Sequence, residues 1–171
     1  MKLFIPLLVV CLTSIFCKKE GAQPQNPDSK TYYIVRHAEK DAAVPSNDPP
    51  LSNAGTARAM ALRDSLVSKE ISAIFSTSTN RTLSTAHYTS QQKGITVQTY
   101  GPIPDAAFIT QLKQLPGNIL IVGHSNTVDD IVNGLCGETK IQDLAESEYG
   151  DLFVVTISGT LAVYSKKHFG N

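Results

Sequence analysis

From Thr31 onward the chain alternates between two periodicities. Short runs rich in β-branched and apolar residues, Thr31–Val35, Ile71–Phe75, Thr96–Thr99 and Asn118–Val122, read as strands. Between and after them lie stretches of helical spacing over about Ala54–Lys69, Asn80–Lys93, Asp105–Leu115 and Thr127–Leu135. The last carries the clearest signal, with Val128, Ile131, Val132 and Leu135 at i, i+3, i+4 and i+7 on one face. Phe108, Leu112 and Leu115 form a similar stripe that ends at Pro116-Gly117. Strand-then-helix alternation requires crossover connections, and these give a parallel sheet covered by helices on both faces. Leu152–Ser158 and Leu161–Ser165 flank Gly159 and read as an antiparallel hairpin added at the edge. The predicted fold class is α/β: a three-layer α/β/α sandwich with a mostly parallel sheet and a C-terminal antiparallel hairpin.

The first 30 residues break this pattern. Met1-Lys2 precedes LFIPLLVVCLTSIF, an apolar stretch short for a membrane-spanning helix and of the length of a secretory signal core. It stops at Cys17, and KKEGAQPQNPDSK follows without a large apolar residue. Residues 1–17 are therefore expected to be a lipoprotein-type signal peptide ending at Cys17 as the lipidated residue, and 18–30 a flexible tether. Cys11 as the acylated residue, or plain cleavage after the apolar core, are the alternatives. Export to the cell envelope, with attachment to a bacterial membrane through the lipid, is the resulting expectation, and residues 31–171 are left as one domain.

Charge narrows the partners. Fifteen basic and fifteen acidic residues leave no field to hold a polyanion, so no nucleic-acid partner is expected. Of the three cysteines only Cys136 would stay free in the exported, lipidated chain. It has no disulfide partner there and reads as a small apolar side chain rather than a nucleophile.

Ligands of open α/β sheets sit beyond the carboxyl ends of the strands. Arg36-His37 follows the first strand, STSTNRT with Arg81 follows the second, and His124-Ser125-Asn126 follows the fourth. Two arginines and two histidines thus meet along one sheet edge. Guanidinium groups and helix N-termini suit phosphate oxygens. A neutral imidazole can attack phosphorus, and a second can donate to the charge that develops. Phosphoryl transfer needs positioning and charge compensation above all, which Arg36, Arg81 and His124 could supply to His37 without metal or other cofactor.

These motifs resemble the histidine phosphatase superfamily, which includes cofactor-dependent phosphoglycerate mutases and acid phosphatases. Arg36-His37-Ala38 is similar to its R-H-G/A hallmark, Ser76–Arg81 with Thr85-Ala86 to its second-strand motif, and Gly123-His124-Ser125-Asn126 to its second histidine. DPPLSNAG, with Leu51, Ser52 and Gly55, matches what precedes the first helix there. The resemblance spans residues 31–158 and implies a phosphoglycerate mutase-like fold. By it His37 is the nucleophile that becomes phosphorylated, and Arg36, Arg81 and His124 complete the phosphate pocket. The short phosphohistidine phosphatases are the nearest functional comparison.

Larger members carry a glutamate between the second arginine and the second histidine that protonates the leaving oxygen. Here Asp105 is the sole carboxylate between Arg81 and His124, either as general acid or, the favoured reading, as a helix N-cap. Glu39 and Lys40 read as a solvated rim, and His87 and His168 as surface residues. The expected activity is metal-independent hydrolysis of phosphate monoesters or phosphoramidates, on a small molecule or a phosphoprotein, through phospho-His37. The rivals are a phosphate-binding domain without catalysis and a phosphomutase.

Overall fold

The computed structural model describes residues 29–170, so the signal segment, most of the tether and Cys17 lie outside the described residues. The first strand, β1 (Ser29–Arg36), starts two residues earlier than its apolar run, because Ser29 and Lys30 still pair with β5 (Asp151–Ser158). Three further parallel strands follow: β2 (Ala73–Ser76), β3 (Val97–Thr99) and β4 (Ile119–Gly123). With β6 (Leu161–His168) they form one six-stranded sheet in the order β3-β2-β4-β1-β5-β6. The pairs β1/β4, β4/β2 and β2/β3 are parallel, and β5 and β6 add antiparallel to the β1 edge.

Alternate residues of the central strands feed two cores. Tyr32, Ile34, Ile119 and Ile121 pack with α3 (Ala106–Gln114) and α4 (Val128–Cys136). Tyr33, Val35, Leu120 and Val122 face the other way, against α1 (Asn53–Ser65) and α2 (Asn80–Lys93). Burial on both faces explains why β1 and β4 read as continuous apolar runs and not as alternating ones. The three-layer architecture and the C-terminal hairpin are those expected from the sequence pattern.

The boundaries differ in instructive ways. Helix α1 stops at Ser65, four residues short of Lys69, where Leu66 turns into the 0% exposed interior. Strand β6 runs three residues past Ser165, since Lys166 and His168 both reach Asp151 on β5. Gly159 opens the two-residue turn between β5 and β6 with φ of 59°, which an L side chain rarely adopts.

One register decides where chemistry can happen. Arg36 pairs with Gly123, and the His37 amide extends the ladder by donating to the Gly123 carbonyl at 2.9 Å. The residues that follow β1 and β4 are therefore neighbours in space although 87 positions separate His37 from His124.

Candidate active site

Beyond that shared strand end lies a cleft of about 390 Å³ lined by Arg36, His37, Lys40, Thr79, Arg81, Pro102, His124, Ser125, Asn126 and Glu146. All four residues singled out for phosphate chemistry line it. The His37 and His124 ring centroids are 5.5 Å apart at 67°.

His37 is buried, and its Nδ1 lies 2.8 Å from the Ala38 carbonyl. A carbonyl can only accept, so the proton sits on Nδ1 and Nε2 carries a lone pair. Burial, reinforced by the charges of Arg36, His124 and Arg81 against the Ala38 hydrogen bond, lowers the His37 pKa to about 4. The imidazole is thus neutral at pH 7, the form a nucleophile needs. The Ala38 amide donates to Thr85 Oγ1 at 2.9 Å, which fixes the turn after β1.

His124 is held from both sides. Arg81 Nη2 faces its Nδ1 at 3.5 Å, and since a guanidinium only donates, Nε2–H is left to donate to Thr77 Oγ1 at 2.9 Å. Burial, then the charges of Arg81 and Arg36, lower its pKa to about 4 as well.

The two arginines are anchored differently. Arg36 Nη1 donates to the carbonyls of Ala145, Glu146 and Glu148 at 2.8, 3.1 and 3.0 Å. Its Nη2 reaches Glu146 Oε2 at 3.2 Å and Tyr149 OH at 3.4 Å, and its Cζ lies 4.2 Å from the Tyr149 ring centroid. Arg36 Nε is buried without a partner among the described residues. Arg81 opens α2, where the helix dipole disfavours a cation. Asp48 compensates: its carboxylate accepts from the Asn80 amide at 2.9 and 3.0 Å and from Arg81 Nη1 at 3.4 Å.

The structure decides between the two readings of Asp105 and changes that of Glu39. Asp105 caps α3, accepting from the Phe108 amide at 2.8 Å, and borders a different cavity from that of His37, so its candidacy as general acid is withdrawn in favour of the cap. Glu39 is no solvated rim residue: it accepts three hydrogen bonds from Arg58 at 2.7 to 2.9 Å, and its carbonyl receives the Ser52 amide at the start of α1. The sequence reading missed Asp48, Thr77, Glu146 and Tyr149. Thr77 lay in the quoted STSTNRT, but Glu146 and Tyr149 sit in an irregular segment where no periodicity points inward.

Among the described residues Glu146 is the one carboxylate lining the cleft, and its side chain is 78% exposed. No three His, Cys, Asp or Glu side chains come together as a metal site among the described residues. Cys136, half-buried, lies at the opposite end of the sheet, and burial raises its pKa.

Residues 32–102 match the family described as Histidine phosphatase superfamily (branch 1). No curated protein sequence matches the chain. Among solved structures, the protein histidine phosphatase SixA complexed with tungstate superposes with a TM-score of 0.66 at 15% identity, over 81% of this chain and 96% of that one. A mycobacterial glucosyl-3-phosphoglycerate phosphatase gives 0.62 at 13% identity, over 82% and 98%. Phosphoglycerate mutase from Bacillus anthracis gives 0.56 at 14%, over 83% and 93%. The segment that carries Arg36, His37 and Arg81 has the sequence pattern of the histidine phosphatase superfamily, and the chain as a whole has the phosphoglycerate mutase-like fold found in that superfamily.

Proposed function

We propose that the protein is a metal-independent phosphatase working through a phosphohistidine on His37. The observation that carries this reading is the state of His37: neutral, with Nδ1–H fixed on a backbone carbonyl and Nε2 free, in a cleft shared with Arg81 and His124. In the first step the Nε2 lone pair forms the N–P bond as the bond from phosphorus to the leaving group breaks. In the second, water attacks phosphorus, the N–P bond breaks, and inorganic phosphate leaves with His37 neutral again.

A bound phosphoryl dianion would favour the protonated form of His124, which then donates from Nδ1 as well as Nε2. The unpartnered Arg36 Nε and the Nη2 now on Glu146 would turn to phosphoryl oxygens. With no buried carboxylic acid lining the cleft among the described residues, leaving groups that need little protonation are preferred: phosphoramidates such as phosphohistidine on a protein, or activated monoesters. The apolar N-terminal run ending at Cys17 supports placing this activity outside the cytoplasm on a lipid anchor.

The test is phosphate release from p-nitrophenyl phosphate by the chain with EDTA present, beside His37→Ala. Turnover that survives EDTA and disappears in the variant, with an acid-labile phosphoenzyme in a quench, supports the reading. Phosphate binding without turnover would instead favour a binding domain, a reading consistent with how fully Arg36 is committed to the 145–149 segment. Phosphate returned to a second substrate position would mark a mutase.

A further inference from the structure

The end of the sheet away from the cleft has a consistent character of its own. Helices α1 to α3 finish there, and lysines close carbonyls at or just past helix ends: Lys93 Nζ donates to Val67 and Lys69, beyond the end of α1, at 2.8 Å each, and Lys30 Nζ to Lys113 in the last turn of α3 at 2.7 Å. Lys113 in turn donates to Gly134 at 2.9 Å. A lysine on a helix C-terminus is ordinary structural chemistry and by itself says nothing about a partner.

Two independent observations do. Val67, whose carbonyl Lys93 holds, is 58% exposed, and Leu161, the first residue after the β5–β6 turn, is 64% exposed, while Ile157 and Ala162 border an open cavity of about 610 Å³ between Lys30, Lys113 and that turn. The described residues also begin there: Ser29 pairs with Ser158, next to that turn, so the preceding chain is joined to the domain at this end. Of the acidic groups nearby, Glu138 is paired with Lys140 and Asp64 with Arg63, which leaves Glu70 against the lysines.

We propose that this end of the domain rests on an anionic phospholipid surface, with Lys30, Lys69, Lys93 and Lys113 over the headgroups and Val67 and Leu161 dipping into the interface. The eight residues of β1 then hold the cleft roughly 25 Å further out, facing away from the bilayer. A lipid on Cys17 would tether the chain; the lysine end would orient it.

The chain has no tryptophan, so single-Trp variants report cleanly. Full chains carrying Leu161→Trp or Ile103→Trp are bound to vesicles containing brominated anionic lipid and their fluorescence is compared. The expected result is strong quenching at 161 and little at 103, with quenching at 161 reduced on zwitterionic vesicles or at high salt. In Leu161→Trp, adding Lys30→Gln and Lys113→Gln should weaken the lysine-dependent contact by roughly fivefold per lysine while the thermal melt stays that of the parent. No quenching at 161 with the chain still cosedimenting, quenching at 103 instead, no association with anionic vesicles, or indifference to the lysine substitutions would overturn the proposal.

Discussion

Beyond the carboxyl ends of β1 and β2 two arginines turn inward, whereas at the opposite end lysines are laid over carbonyls at or just past helix ends. Arg36 is 5% exposed and pinned by three carbonyls, a carboxylate and an aromatic ring; Arg81 sits at a helix start where only a neighbouring anion, Asp48, makes it tolerable. Lys93 and Lys113 sit where the helix dipole already favours them. The contrast teaches how to weigh a charge. A lysine on a helix C-terminus is explained by the fold alone, while an arginine buried beside two neutral histidines depends on partners that the fold has to supply.

Substitutions at the two ends should therefore differ by orders of magnitude. His37→Ala should lower kcat on the order of 10⁴-fold or more, measured with p-nitrophenyl phosphate, because both ring nitrogens of the other cleft imidazole, His124, are already engaged by Arg81 and Thr77. A loss below tenfold would break the assignment. Next in size is a pH effect. His37 is held at about 4 against 6.5 for an ordinary histidine, so the unfolded chain binds more protons between those values. Stability should be fully present above pH 6.5 and fall as the pH drops to about 4, by about 3 kcal/mol from His37 alone, read by denaturant unfolding across that range. His37→Gln should flatten much of this slope, and the acid limb of kcat/KM should likewise lie near 4.

Arg81→Lys should reduce kcat/KM roughly 10²-fold, since an ammonium cannot face Asp48, His124 and a phosphoryl oxygen with one planar fork. Glu146→Gln sharpens the comparison from the other side: with its carboxylate charge removed from Arg36, inorganic phosphate should inhibit up to about fivefold more tightly. Lys113→Gln, at the far end, should leave turnover unchanged and shift stability by no more than about 0.5 kcal/mol. An effect on kcat comparable to that of Arg81→Lys would mean the two ends are coupled.

Most of the sheet was legible because buried parallel strands need unbroken apolar runs, and Tyr32–Val35 and Ile119–Val122 provide them. Helix α2 matched its expected span of Asn80–Lys93, bounded by Gly94 at φ of 66°. The least legible element was the segment between α4 and β5. Its contribution to Arg36 comes mainly from backbone carbonyls of Ala145, Glu146 and Glu148, and a carbonyl has no sequence signature. Glu39 was misjudged for a related reason, since its partner Arg58 is 19 residues away and their meeting depends on how Gly55 lets α1 pack. A Cβ at Gly55 would run into the Glu39 carbonyl.

The sequence by itself determined the alternation of strands and helices and the identity of the four groups at the strand ends, because periodicity and residue type are local properties. Only the tertiary structure decided that Arg36 pairs in register with Gly123, bringing His37 to His124, that both imidazoles lose their protons well below neutral pH, and that Asp48 and Glu146 hold the arginines. Each of these depends on distance and burial between residues far apart in the chain, and those quantities do not exist until the sheet has closed around them.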